Sequence, residues 1–128
     1  QLVDGAFNTQ RFIEFLRDKL IPLLNQNSIL IMDNCRFHHS AEVINTLIGA
    51  NITYQFLPPY SPQLNPIEEF FGMLKNRYRR VSPRPINRDQ MREMVEQCLE
   101  SCYGINLRGF YERSRSLFNQ CYNLQPLL

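Results

Sequence analysis

The sequence predicts an α/β fold in which two parallel strands are joined by a helix, with further helices after them. Three observations predict it. "ILIM", Ile29 to Met32, is an unbroken apolar run too short for a helix and without alternation, as in strands of parallel sheets covered on both faces. Ser40 stands where an N-cap belongs, ahead of a helical stretch from Ala41 to about Gly49. "NITYQFL", Asn51 to Leu57, is rich in β-branched and aromatic residues and reads as a second strand. A strand, helix and strand in this order require a crossover, and the crossover makes the strands parallel and the connection right-handed.

The elements around this unit follow from periodicity. Asp4-Gly5 inside "QLVDGAFN" is a tight-turn signal and suggests the end of a hairpin. From Thr9 to about Leu24, Phe12, Ile13, Leu16, Leu20, Leu23 and Leu24 recur at helical spacing. The crossover helix should turn Ile44, Leu47 and Ile48 inward. After a proline-rich loop, Ile67, Phe70, Phe71, Leu74 and Tyr78 outline another amphipathic helix. Pro83 and Pro85 break it, and Asn87 can cap the next. Met91, Met94, Val95, Cys98 and Cys102 outline that helix, Gly104 ends it, and Leu107, Phe110, Tyr111, Leu117 and Phe118 mark a last one.

The 128 residues read as one domain of ordinary globular composition, 44% hydrophobic and 20% charged. No apolar run approaches the roughly 20 residues needed to cross a bilayer, and the start resembles no signal peptide and has no initiator Met. A cytosolic or nuclear protein, cut from a longer one and without membrane partners, is expected. Cys35, Cys98, Cys102 and Cys121 form no C-x-x-C pair, which favours reduced thiols, with Cys98 and Cys102 packed on one helical face. The net charge of +2 is small, but seven of the 14 Lys and Arg lie between Lys75 and Arg92. That cluster reads either as a solvated helix face or as a patch for nucleic-acid phosphates.

Two carboxylates stand out. Ligands of open α/β sheets gather beyond the carboxyl ends of the strands, here near Asp33 and the loop after Leu57. Asp33-Asn34 taken alone reads as a turn, because both side chains hydrogen-bond nearby backbone. "NPIE", Asn65 to Glu68, fits a capping box with Pro66 at the first helical position and Glu68 reaching back to the cap amide. Glu69 points about 100° away on a helix and should face solvent. Capping leaves unexplained the stiffness supplied by Pro58, Pro59 and Pro62. A rigid loop that delivers Glu68 to the edge bearing Asp33 suits a hard divalent cation such as Mg²⁺, which needs accurately placed oxygen ligands.

Thirty-four residues separate Asp33 from Glu68, with "MDNCRFHHS" at one end and "LPPYSPQLNPIEEFFGMLK" at the other. In these strings and this spacing the chain resembles the catalytic domain of mariner-like transposases, from the helix before Asp33 to the helix after Glu68. The resemblance implies an RNase H-like fold, residues 1–128 as one DDE-type catalytic domain without its first strands, and a carboxylate triad. Asp33 then corresponds to the second acidic residue and Glu68 to the third, both catalytic and both ligands of Mg²⁺ or Mn²⁺. The first Asp is expected upstream of this chain, and Asp4 reads as a turn residue that does not replace it. Asn34 and His38 would support the site, whereas His39 has no such correspondence. A zinc site of Cys35, His38 and His39 would lack a fourth ligand. Lys75, Arg77, Arg79 and Arg80 would hold DNA phosphates.

The activity so implied is metal-dependent DNA cleavage followed by strand transfer, with element ends and target DNA as partners; it is expected of the full-length protein, and this stretch alone, with two of the three carboxylates, is expected to bind metal weakly and to be inactive. The protein would act as a homodimer, in the nucleus of a eukaryote or the cytoplasm and nucleoid of a bacterium. Two other readings stand beside it: a catalytically inactive, transposase-derived module for DNA or protein binding, and an RNase H-like nuclease that hydrolyses without joining ends.

Overall fold

The computed structural model describes residues 2–123, which fall in two compact units, Gln1–Ser61 and Pro62–Leu128. The first unit holds the strand, helix and strand. Strand β1 (Ile29–Met32) pairs in parallel with β2 (Thr53–Phe56), Ile29 opposite Thr53 and Met32 opposite Phe56. Helix α1 (Thr9–Phe15) precedes them and α2 (Ala41–Gly49) makes the crossover. Both helices have side-chain caps: Asn8 Oδ1 accepts from the Arg11 N–H at 3.0 Å and Ser40 Oγ from the Val43 N–H at 3.4 Å.

The helical pattern from Thr9 to Leu24 is present, but its backbone changes character. After α1 the chain widens into a π-helical stretch over Leu16–Leu20 and tightens into a 3₁₀ turn over Ile21–Leu23. Pro22 explains the break, since it has no N–H for the carbonyl four residues back. The expected hairpin end is not there: residues 2–7 contain no strand, and Asp4-Gly5 is a bend with Gly5 at φ +82°. Arg11 ties that bend to the helix by donating from its guanidinium to the carbonyls of Asp4 and Ala6.

Phe12, Ile13, Leu16, Met32, Val43 and Leu47 form the core of this unit, with Leu30, Tyr54 and Phe56 packed against it. Each fully buried aliphatic side chain contributes roughly 1.5–3 kcal/mol. Two expectations need correction. The crossover helix buries Val43 and Leu47, four residues apart, and leaves Ile48 61% exposed, so its inward face is rotated from the one expected. The strands are covered on one face, because Ile29 and Ile31 remain 61% and 46% exposed while Met32 is buried. An apolar run of four states that a strand is hydrophobic, not how many layers cover it.

The second unit is helical. A 3₁₀ turn at Pro62–Leu64 buries Leu64 and leads into α3 (Pro66–Arg79); α4 (Arg88–Glu100) and α5 (Arg108–Tyr122) follow. Asn87 caps α4 by accepting from the Gln90 N–H at 2.9 Å, and Gly104, at φ +77°, lies in the turn after it. Helix α3 packs against α4 and α5, and α5 also packs on the 3₁₀ turn. Cys98 and Cys102 are reduced and buried, as expected of packing residues. Met91 and Tyr111 stay exposed, and Ser114 is buried on α5 instead of the larger Tyr111.

Candidate active site

The carboxyl end of β1 delivers Asp33 and Asn34 in succession, and each is held by a different histidine. Asp33 Oδ1 accepts from the Cys35 N–H at 3.1 Å and lies 2.8 Å from His38 Nδ1. The first bond is the local turn bond an Asp after a strand is expected to make. The second fixes the carboxylate from outside the turn. His38 comes from the 3₁₀ turn Arg36–His39, and its ring is wedged at 4.5 Å from that of Phe12 and 4.7 Å from that of Phe37. The histidine side chain is 16% exposed and the aspartate side chain 51%, so a half-buried imidazole orients an open carboxylate. Asp33 Oδ2 has no partner among the described residues.

Asn34 bridges the two strands. Its amide donates to the Leu57 carbonyl at 2.6 Å, and the Leu57 N–H donates to the Met32 carbonyl at 2.8 Å. His39 Nε2 meets Asn34 Oδ1 at 3.0 Å, which settles which end of that amide faces Leu57. The His39 ring stacks on Phe56 at 3.8 Å and 16°. Sequence reasoning passed over His39. Its signal is tertiary, since a His five residues after an Asn carries no pattern and the stacking partner lies on the other strand.

In the second unit Glu68 occupies the third position of α3, but the capping box is not formed. The Asn65 N–H donates to the Pro62 carbonyl at 2.9 Å, within the 3₁₀ turn, and the Asn65 side chain makes no capping bond. The donor that Glu68 would satisfy is therefore already taken. Its carboxylate is exposed and has no partner among the described residues. Glu69, expected in solvent, instead makes a 3.2 Å ion pair with Arg113 of α5 and is one-third exposed.

The three basic residues of α3, Lys75, Arg77 and Arg79, separate by face, and Arg80 follows at its end. Around a 3.6-residue helix, Glu68, Gly72, Lys75 and Arg79 fall within about 60° of one another, and Arg77 lies roughly opposite. Lys75 and Arg79 are exposed, and their charged groups have no partner among the described residues. Arg77 donates to Ser101 O and Ser101 Oγ at 2.8 and 2.7 Å, which ties α3 to the end of α4. The arginine cluster is thus partly structural. Arg84 likewise donates to the carbonyl of Arg79 at 2.7 Å, satisfying the end of α3. Arg80 is exposed and lines an open groove of about 840 Å³ with Glu68, Asn76, Phe110 and Arg113.

Asp33 and Glu68 both offer exposed carboxylate oxygens not consumed by protein contacts. Each is the kind of oxygen donor that a hard divalent cation takes while keeping several waters. Among the described residues no three His, Cys, Asp or Glu side chains form a metal-holding group. Cys35, His38 and His39 are accordingly not gathered into a zinc site.

Comparison with known proteins gives one assignment. The family described as DDE superfamily endonuclease matches residues 1–92, which include β1, α2, β2, α3 and the sequence-predicted residues Asp33, Asn34, His38, Glu68, Lys75, Arg77, Arg79 and Arg80. No curated protein matches the chain.

Proposed function

The chain belongs to the DDE superfamily of endonucleases, and from that premise we propose that it is a mariner-like transposase catalytic domain acting through Asp33 and Glu68. The fold is the family's RNase H-like one, mixed α/β with parallel strands, and members use divalent metal ions on DNA. The observation that carries the reading is a contrast between carboxylates. Glu69, one residue away, is spent on an ion pair, while Glu68 is left without a partner at a helix start where the Pro62 carbonyl already takes the Asn65 N–H.

In this reading Asp33 and Glu68 hold Mg²⁺ or Mn²⁺ together. When bound, the ion supplies Lewis-acid activation of the attacking oxygen and charge stabilisation of the leaving one. The chain does the positioning. His38 holds Asp33 in one rotamer, so its outer oxygen is presented without reorganisation. Asn34 and His39 lock the ends of the two strands beneath it.

Lys75 and Arg79 lie about 10 and 16 Å along α3 from Glu68 on the same face, where they would contact successive phosphates of a DNA strand; Arg80 adds charge on the flank. Gly72 stands between Glu68 and Lys75. A Cβ there would meet nothing within 4 Å, so the fold does not require glycine at this position. Its absence of side chain suits close approach by a DNA backbone. Cleavage would replace the leaving 3′-oxygen at phosphorus with an oxygen from water, and the freed 3′-hydroxyl would then attack target DNA.

The test is Mn²⁺-dependent nicking of plasmid DNA and joining of a pre-cut donor end, by the protein and by its Asp33→Asn and Glu68→Gln variants. Loss of both activities in both variants is expected. Nicking that persists unchanged in the variants would overturn the assignment, and nicking without joining would identify a nuclease.

A further inference from the structure

The loop after β2 carries a tyrosine that the fold does not use. Tyr60 is 100% exposed and sits at φ +53°, a backbone region that glycine or asparagine adopts readily and a bulky residue adopts at a cost. The turn would be better served by glycine, and the ring contributes nothing to packing. The other well-exposed tyrosines, Tyr103, Tyr111 and Tyr122, lie on helices or in helix-end turns without a positive φ.

The backbone that carries the ring is nevertheless held in place. Pro58 and Pro59 precede it and Pro62 follows, Ser61 Oγ donates to the Pro59 carbonyl at 3.1 Å, and Leu57 is buried and bonded on both sides by Met32 and Asn34. With the backbone anchored, only the two torsions of the tyrosine side chain remain to be ordered when something stacks on it. Three residues span at most about 11 Å, so Tyr60 stays near the Leu57 carbonyl that Asn34, the neighbour of Asp33, holds.

We propose that Tyr60 is a stacking platform for an unpaired nucleobase of the DNA strand lying at the Asp33 edge. The inference rests on the DNA reading above. A fully exposed aromatic suits a nucleobase because every base has a π-face, which makes stacking tolerant of sequence. The platform would hold the terminal nucleotide of a cut or frayed end and so steady the neighbouring phosphate. Stacking needs the ring and not the hydroxyl.

The test is fluorescence anisotropy of the full chain on two DNAs, a duplex with an unpaired terminal nucleotide and a covalently closed duplex with no free end. Tyr60→Ala should bind the first roughly 5- to 100-fold more weakly than the unsubstituted protein and the second equally well. Tyr60→Phe should match the unsubstituted protein on both. Tyr60→Gly should show the same binding defect with an unchanged or higher melting temperature, which separates the ring's role from folding. Equal affinity of Tyr60→Ala and the unsubstituted protein for the unpaired end would overturn the proposal. So would a change in sedimentation behaviour with DNA affinity intact, because the ring would then serve a protein contact. If the unsubstituted protein binds neither DNA, the DNA reading itself fails and the platform with it.

Discussion

The amide of Asn34, at the carboxyl end of β1, donates to the carbonyl of Leu57, one residue past β2, at 2.6 Å. That bond spans the edge on which Asp33 stands, and it extends the strand pairing past the last register pair, Met32 with Phe56. Replacing Asn34 with Asp turns the donor into an acceptor facing a carbonyl. Unfolding followed by circular dichroism should show a loss of about 1 kcal/mol, the net worth of a part-buried hydrogen bond. His39→Ala should cost less, because the Asn34–Leu57 bond survives it.

His38 should govern metal affinity more than stability. Its ring packs on Phe12 and Phe37, so His38→Phe keeps an aromatic of similar size while removing the nitrogen that faces Asp33. Calorimetric titration with Mn²⁺ is expected to show affinity about 10- to 100-fold weaker, as for other partners of ligating groups, with little change in melting temperature. An equal fall in stability and no change in affinity would make His38 a packing residue.

Gly72 offers the opposite trade. In the middle of α3, with open space where a Cβ would go, Gly72→Ala should stabilise the protein by about 1 kcal/mol. Gly72→Gln should retain much of that gain and bind DNA more weakly, by filling the face between Glu68 and Lys75.

The basic residues of α3 should divide into two classes. Lys75→Ala and Arg79→Ala are each expected to lower the slope of log affinity against log salt by about 1 and to leave the melting temperature alone. Arg77→Ala should instead destabilise by about 1 kcal/mol, through the lost bonds to Ser101, and change the salt slope little.

Much of the fold was legible because it rests on local signals. The parallel pairing of β1 and β2 followed from a short apolar run, a capped crossover helix and a second β-rich run, and the register bears it out. The inward face of α2 was not legible: Val43 and Ile48 are equally apolar, and only tertiary packing chooses between them. The capping box failed for a reason outside its own four residues, since Pro62 starts a 3₁₀ turn that takes the Asn65 N–H first. Helical geometry could have set Arg77 apart from Lys75 and Arg79, because it lies half a turn away from them. The part of His39 could not have been found that way, for it depends on a ring from another strand.

The central claim is that Asp33 and Glu68 serve one metal site, and a double-mutant cycle on Mn²⁺ binding tests it most directly. With the unsubstituted protein, Asp33→Asn, Glu68→Gln and the double variant titrated side by side, a shared site predicts that each single substitution removes the same binding event and that the double loses little more. Additive losses from two independent sites, or Mn²⁺ binding unchanged in either single variant, would contradict it.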